Sequence, residues 1–304
     1  MKFIFKLLPL FCIFWLMPKA FALNIVTTNY PAYDLVFHVA KDKANIQVLL
    51  KPGADAHSFE PTPRDIASIE KSDLFFYIGG ENDEWIRRLL KAMSNNINSL
   101  SMLECIDPLK ESLAFEHTLE NHHHHEHEIA FDEHVWTAPK NNIKLLKVIA
   151  QKLSEIDPNN KDFYHKNAQA YSERFAQLDQ KFQDLIKSSQ RKIIIVADRF
   201  PFLYFAHDYG LNYYAAFSGC AEDTEASAKT ISFLIEKVKE LKIHYVIKQE
   251  FSSLKLANTI ASETDSEVLT LNACHNLSKE QYQNKVEMIE LLENNLETLK
   301  KALN

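Results

Sequence analysis

The stretch NIQVLLKPGADAHSFEPTPRDIASIEKSDLFFYIGG, Asn45 to Gly80, sets the class of fold. Its first apolar run, Ile46 to Leu50, stops at Pro52 and Gly53, residues that bend a chain. EPTPRD then begins a helix, and SDLFFYIGG is a second apolar strand closed by two glycines. Strand, helix and strand in that order build a parallel sheet covered by helices. Working outward, LNIVTTNYPAYDLVFHVA before this unit reads as another strand running into a helix, and NDEWIRRLLKAM after it as a further helix.

A second series of the same kind lies in the C-terminal part. RKIIIVAD, HYVIKQE and EVLTLNA read as strands, and TEASAKTISFLIEKVKELK as a helix. Between the series, Tyr164, Ala168, Tyr171, Phe175, Leu178, Phe182 and Leu185 recur every three or four residues with no Gly or Pro among them, the period of one long amphipathic helix. DPNN opens it, with Asp157 expected as N-cap and Pro158 at the first helical position. The expectation is an α/β chain of two lobes, each a parallel sheet flanked by helices, joined by that helix. The boundaries are 23–157, 158–189 and 190–304. Ligands should gather at the carboxyl ends of the strands.

Composition narrows the function. The 304 residues are 46% hydrophobic and 25% charged, ordinary for a globular protein, and the formal charge of −7 disfavours nucleic acid and suits cations. The opening MKFIFKLLPLFCIFWLMPKAFA has early lysines, an apolar run from Leu7 to Met17, and small residues at Ala20 and Ala22. This is the pattern of a secretory signal peptide over 1–22, with cleavage after Ala22 and a periplasmic mature chain. The apolar run is shorter than the roughly 20 residues of a spanning helix. Export leaves Cys105, Cys220 and Cys274, read either as a Cys220–Cys274 disulfide with one free thiol or as three buried thiols. With 5 glycines in all, the chain carries no dinucleotide or phosphate-loop fingerprint.

Histidine is the conspicuous residue. ENHHHHEHEIAFDEHVWTAPKN, Glu120 to Asn141, holds six of them. His122, His123, His124, His125 and His127, with His117 nearby, sit among acids in a segment, 116–128, with neither an apolar period nor turn signals. Such a run reads as a solvated loop able to collect metal, weakly because its ordering costs entropy. His57 and His134 differ: each stands in a loop ahead of a helix, and Val135 and Trp136 beside His134 imply burial. Two buried imidazoles suit zinc and other borderline metals. Neither a His-Glu-x-x-His helix, a Gly-x-Ser-x-Gly elbow nor a Cys-x-x-Cys pair is present, so no enzyme is expected.

Several stretches together carry a family resemblance. VLLKPGADAHSFEPTPRDIASIEKSDLFFYIGG, EHVW followed by Pro-Lys-Asn, the helix after DPNN, and YFAHDYGL followed by TEAS resemble the metal-binding receptors of zinc and manganese ABC importers. The resemblance implies two α/β lobes joined by a rigid helix, one Zn²⁺ held between them, and delivery to a membrane ABC permease. It implies no small organic substrate, and a monomer is expected. The family's first two histidines fall on His57 and His134, and a His-rich acidic loop is typical of zinc-specific members, which makes the cluster an accessory collector.

The second half departs from the pattern. Where a His or Glu ligand usually stands, five residues before the Tyr of YF, this chain has Arg199, which keeps its proton and has no lone pair to give. His275 in LNACHNLS, near the family's last ligand, is the first choice for a second-lobe donor. Asp198 is the second, with an ion pair to Arg199 as its other reading; Cys274 is a third unless a disulfide takes it, and Glu225 a fourth unless it caps the following helix. Manganese or iron uptake, a secreted metal buffer or adhesin, and a zinc hydrolase are the competing functions.

Overall fold

The computed structural model describes residues 22–54, 59–80, 83–93, 97–111, 131–219 and 225–304. The expected signal segment up to residue 21, His57, Cys220 and the loop histidines from His117 to His127 lie outside them. In chain order the first lobe contains β1 (Leu23–Thr27), α1 (Tyr30–Ala40), β2 (Ala44–Val48), α2 (Pro63–Glu70), β3 (Leu74–Tyr77), α3 (Glu84–Ala92), β4 (Ser99–Ser101) and α4 (Pro139–Ile156). The long helix α5 spans Lys161–Ser188. The second lobe follows with β5 (Ile193–Phe200), α6 (Leu203–Tyr209), β6 (Asn212–Ser218), α7 (Ala228–Glu240), β7 (Tyr245–Gln249), α8 (Lys255–Ser262), β8 (Glu267–Leu271), α9 (Lys279–Gln283) and α10 (Met288–Ala302).

Both sheets have four parallel strands, in the orders β2-β1-β3-β4 and β6-β5-β7-β8. Alternate strand residues enter different cores. Ile25, Leu74 and Phe76 join the large cluster that continues through α5 into the second lobe, while Val26, Phe75 and Tyr77 pack with Leu49, Ile69 and Ile86 on the other face. In the second sheet Ile194 and Val196 join the large cluster, and Ile195 and Ala197 pack with Leu234, Val238 and Ile260. Sheets buried on both faces require unbroken apolar runs, which is why these strands do not alternate with polar residues.

Helix α5 buries Tyr164, Ala168, Tyr171, Phe175, Leu178, Phe182 and Ile186, the expected stripe except that Ile186 is buried in place of Leu185. Its start differs from expectation. A single 3₁₀ turn over Pro158–Asn160 precedes it, and Asp157 makes no capping bond to the helix backbone. The Asp157 carboxyl instead accepts from the Asn160 amide, 2.6 Å, and the Tyr164 hydroxyl, 2.8 Å. Side-chain donors a few residues on outcompete the backbone for the same oxygen.

The lobes also meet through a polar junction, buried at Tyr30, Asp34, His38 and Tyr171 and open to solvent at Glu287 and Arg174. Asp34 on α1 accepts from the Tyr171 hydroxyl, 2.7 Å, and the Met288 amide, 3.1 Å. Tyr30 donates to the Val286 carbonyl, 2.8 Å. His38 stacks on Tyr171 with ring centroids 3.7 Å apart, and its Nε2 lies 2.9 Å from Glu287, which also pairs with Arg174 at 2.6 Å. Burial opposes a charge on His38, but the bonds to Asp34 and Glu287 outweigh it and raise its pKa. Among the described residues no helix is long and apolar enough to cross a membrane.

Candidate metal centre

The carboxyl ends of both sheets face one another, and the candidate site lies between them. Thr28 and Asn29 after β1, Leu50 after β2 and Ile78 after β3 line a small cavity with Phe59, Asp83, Glu133, His134, Trp136 and His275. Beside it, a cavity of about 700 Å³ is lined by Asp198 and Arg199 of β5, Gln249 and Glu250 at the end of β7, and His275 and Asn276 after β8. His275 is the wall common to both.

His134 is buried, and its orientation is set locally. It precedes a short 3₁₀ turn, Val135–Thr137, which α4 holds from below: Asn141 and Asn142 donate to the carbonyls of Val135, 3.1 Å, and Trp136, 2.7 Å. Thr137 donates to the carbonyl of His134, 2.8 Å. Asp132 Oδ1 accepts the His134 amide, 2.8 Å, and stands 3.1 Å from Nδ1. A carboxylate that accepts the Nδ1 proton fixes the neutral tautomer with its lone pair on Nε2, the arrangement a metal-binding imidazole uses. Tyr204 of the second lobe holds the Asp132 carbonyl at 2.7 Å.

Across the cleft His275 stands edge to face with His134, ring centroids 4.8 Å apart. Trp136 braces both rings, each at 5.5 Å, and its indole N–H donates to the Ala273 carbonyl at 2.7 Å, which ties the His134 segment to the loop that carries His275. Asn276 strengthens the same join by donating to the carbonyls of Lys51, 2.7 Å, and Ala54, 2.8 Å. Gly219 is required here by space: a Cβ would sit 2.9 Å from Asp132 Oδ2 and 3.2 Å from His134 Cε1.

The other second-lobe candidates are placed differently. Asp198 Oδ1 accepts the Arg199 amide, 2.9 Å, and Oδ2 the Gln249 amide, 3.0 Å, so the carboxylate ties β5 to β7. Cys274 is a free, fully buried thiol; Cys220, the partner expected for it, lies outside the described residues. Its pKa is raised by burial and by Glu250 and Asp34, which keeps the proton on sulfur. Glu225 lines the larger cavity, and the cap of α7 is Ser227, which accepts from the Thr230 amide at 3.0 Å. Sequence reasoning missed Asp132 and Trp136; an acid two residues before a buried histidine was the signal for the first. It also missed Asp83, whose carboxyl is pushed up to about 7 by burial and by Glu133, against the Gly79 amide it accepts at 2.9 Å. No cluster of three or more metal-ligating side chains occurs among the described residues, which exclude His57.

Comparison with known proteins agrees with this architecture. The family model described as "Zinc-uptake complex component A periplasmic" matches residues 25–302. The zinc-binding lipoprotein AdcA of Streptococcus pneumoniae is 34% identical over 285 residues, 92% of this chain and 56% of AdcA, so this chain spans about half the length of that relative. The high-affinity zinc uptake system protein ZnuA of Bacillus subtilis is 32% identical over 289 residues, 94% of this chain and 89% of that protein. The crystal structure of the Zn(II)-bound ZnuA-like domain of the pneumococcal AdcA superposes with a TM-score of 0.76 at 31% identity, covering 93% of this chain and 99% of that domain. This chain belongs to the family of zinc-uptake complex component A, periplasmic.

Proposed function

We propose that the protein is an extracytoplasmic receptor that captures Zn²⁺ in the cleft between its lobes and hands it to an ABC permease. The observation that carries this reading is the meeting of His134 and His275, one from each lobe, with rings 4.8 Å apart and His134 oriented by Asp132. His57 completes a set of three imidazoles by resemblance to the family, and zinc favours such nitrogen donors. Asp198 ranks below these, because both its oxygens already accept backbone amides.

The remaining expectations belong to the same proposal. Residues 1–22 are a signal peptide cleaved after Ala22; a receptor anchored through lipid is the alternative that the lipoprotein AdcA suggests. The His-rich loop 116–128 gathers zinc for the cleft, the lobes divide at 157 and 190 about α5, the receptor acts as a monomer, and it catalyses no reaction. The test is metal analysis of untagged protein followed by titration with Zn²⁺ and Mn²⁺ in competition. One tightly held equivalent that prefers zinc is expected. Preference for manganese, or many equivalents of similar affinity, would replace the receptor reading with a manganese receptor or a buffer.

A further inference from the structure

We propose that Glu250 is the positioning residue for His275, as Asp132 is for His134, and that it acts through the peptide group joining Ala273 to Cys274. This rests on the zinc-receptor reading, in which His275 is the second lobe's donor.

The sheet brings Glu250 to this place. β7 and β8 pair in parallel with Gln249 opposite Leu271, so the first residue beyond β7 stands beside the turn that leaves β8. The Glu250 amide continues the ladder by donating to the Leu271 carbonyl, 3.2 Å. Its side chain turns to the residues just beyond: Oε2 accepts the Ala273 amide, 2.6 Å, and Oε1 the Cys274 amide, 2.9 Å. Successive backbone N–H groups aimed at one point make a seat for an anion, and here the chain's own carboxylate fills it. A glutamine could not do the same, because it would offer one acceptor oxygen and one NH₂ donor to two N–H donors.

The first lobe holds the other end of the same peptide group. The Ala273 carbonyl accepts the Trp136 indole N–H at 2.7 Å, and the Cys274 amide across that peptide bond is the one that Glu250 accepts. A planar unit held at both its oxygen and its nitrogen cannot turn without losing one of those bonds. The torsion that follows is constrained as well. Cys274 has a φ of 60°, a left-handed conformation that a buried residue other than glycine adopts only where its surroundings impose it. The held peptide and that torsion together direct the chain into His275, whose ring centroid lies 4.8 Å from that of His134. Asn295 of α10 holds the amide and carbonyl of Asn272, 2.7 and 2.8 Å, and so anchors the start of the turn to the lobe. Glu250 acts closer, on the residue that adjoins the imidazole.

The test is a double-mutant cycle on the metal-stripped, full-length protein, with zinc affinity measured by chelator competition. It is run at pH 8, above the value of about 7 to which burial raises the Glu250 carboxyl. Glu250→Gln should weaken zinc roughly 10–100-fold, the range for residues that orient a ligand, and should cause no further loss in a His275→Ala background. The visible spectrum of Co²⁺ bound to Glu250→Gln should move towards that of His275→Ala, because the same imidazole has left its place. Glu250→Asp keeps the charge with one methylene less reach; it should show a smaller loss of the same kind, and it carries the cycle if Glu250→Gln does not fold. Equal losses in both backgrounds, or unchanged affinity in Glu250→Gln, overturn the proposal and leave the receptor reading intact. An unmodified protein that binds no zinc overturns both.

Discussion

Two of the places where the lobes exchange polar contacts are built on opposite principles. At the polar junction, Asp34, Tyr30, Tyr171, His38, Glu287 and Arg174 answer one another with hydrogen bonds and ion pairs drawn from α1, α5 and the segment before α10. In the cleft, two imidazoles face each other with Trp136 as a brace, and Asp132 orients one of them. A polar cluster that satisfies itself about a buried centre holds the fold in one arrangement. The two imidazole rings set edge to face are, on the proposed function, the donors that a cation joins. On that reading the junction is a fixed seam and the cleft a place completed by its cargo.

Breaking the cleft should have the largest effect on binding. His134→Ala and His275→Ala should each weaken zinc by roughly two orders of magnitude or more, beyond the 10–100-fold typical of residues that only orient a ligand. Competition with a chelator of known affinity measures this, and the unfolding midpoint of the metal-free protein should move little. Unchanged affinity in His275→Ala would remove the second lobe's donor from the proposal.

Breaking the junction should do the reverse. Asp34→Ala leaves the Tyr171 hydroxyl and the Met288 amide buried without their acceptor, which should cost roughly 3–5 kcal/mol in denaturant unfolding. Zinc affinity of the folded fraction should remain close to that of the unmodified protein. Asp132→Asn sharpens the comparison from the cleft side, because it replaces the carboxylate behind His134 while keeping its shape. A 10–100-fold loss of zinc affinity is expected, by the same titration.

A smaller effect separates the two regions by pH. His38 has a native pKa raised above its ordinary 6.5, so the stability it contributes is fully present below 6.5 and is lost as pH rises through the raised value. Glu287 is shifted the other way. Burial alone would raise it, but His38 and Arg174 lower it, so its contribution is present above 4.5 and lost as pH falls through the lowered value. The pair should stabilise most between these limits. Denaturation midpoints of His38→Gln against pH should lack the decline above 6.5 expected of the unmodified protein. The smallest change expected at the tight site comes from deleting His117 to His127, which should remove weak zinc equivalents in calorimetric titration and leave one tight equivalent.

Much of this was legible before any coordinates, for identifiable reasons. Apolar runs such as Leu74–Tyr77 and Ile193–Val196 could be read as buried strands because a sheet covered on both faces needs no polar alternation. The stripe on α5 announced its helix because burial along one face imposes a period near 3.6. His134 stood out through the apolar residues after it, and His275 through its place after a strand. The start of α5 was misread, since nothing local reveals that Asn160 and Tyr164 would claim the Asp157 carboxyl.

What one dimension determined, then, was the α/β architecture, its division about one helix, and a chemistry dominated by histidine. Tertiary structure alone decided which histidines meet. His134 and His275 are 141 positions apart, and their approach depends on the Trp136 bond to Ala273, on the contacts of Asn276 with Lys51 and Ala54, and on the absence of a side chain at Gly219. It also decided that Asp198 serves the backbone and that Cys274 is a buried thiol. Residue type and spacing reveal which surfaces a segment must bury and which lone pairs it carries. Which lone pairs converge on one point is set by the packing of whole lobes, and no local pattern encodes it.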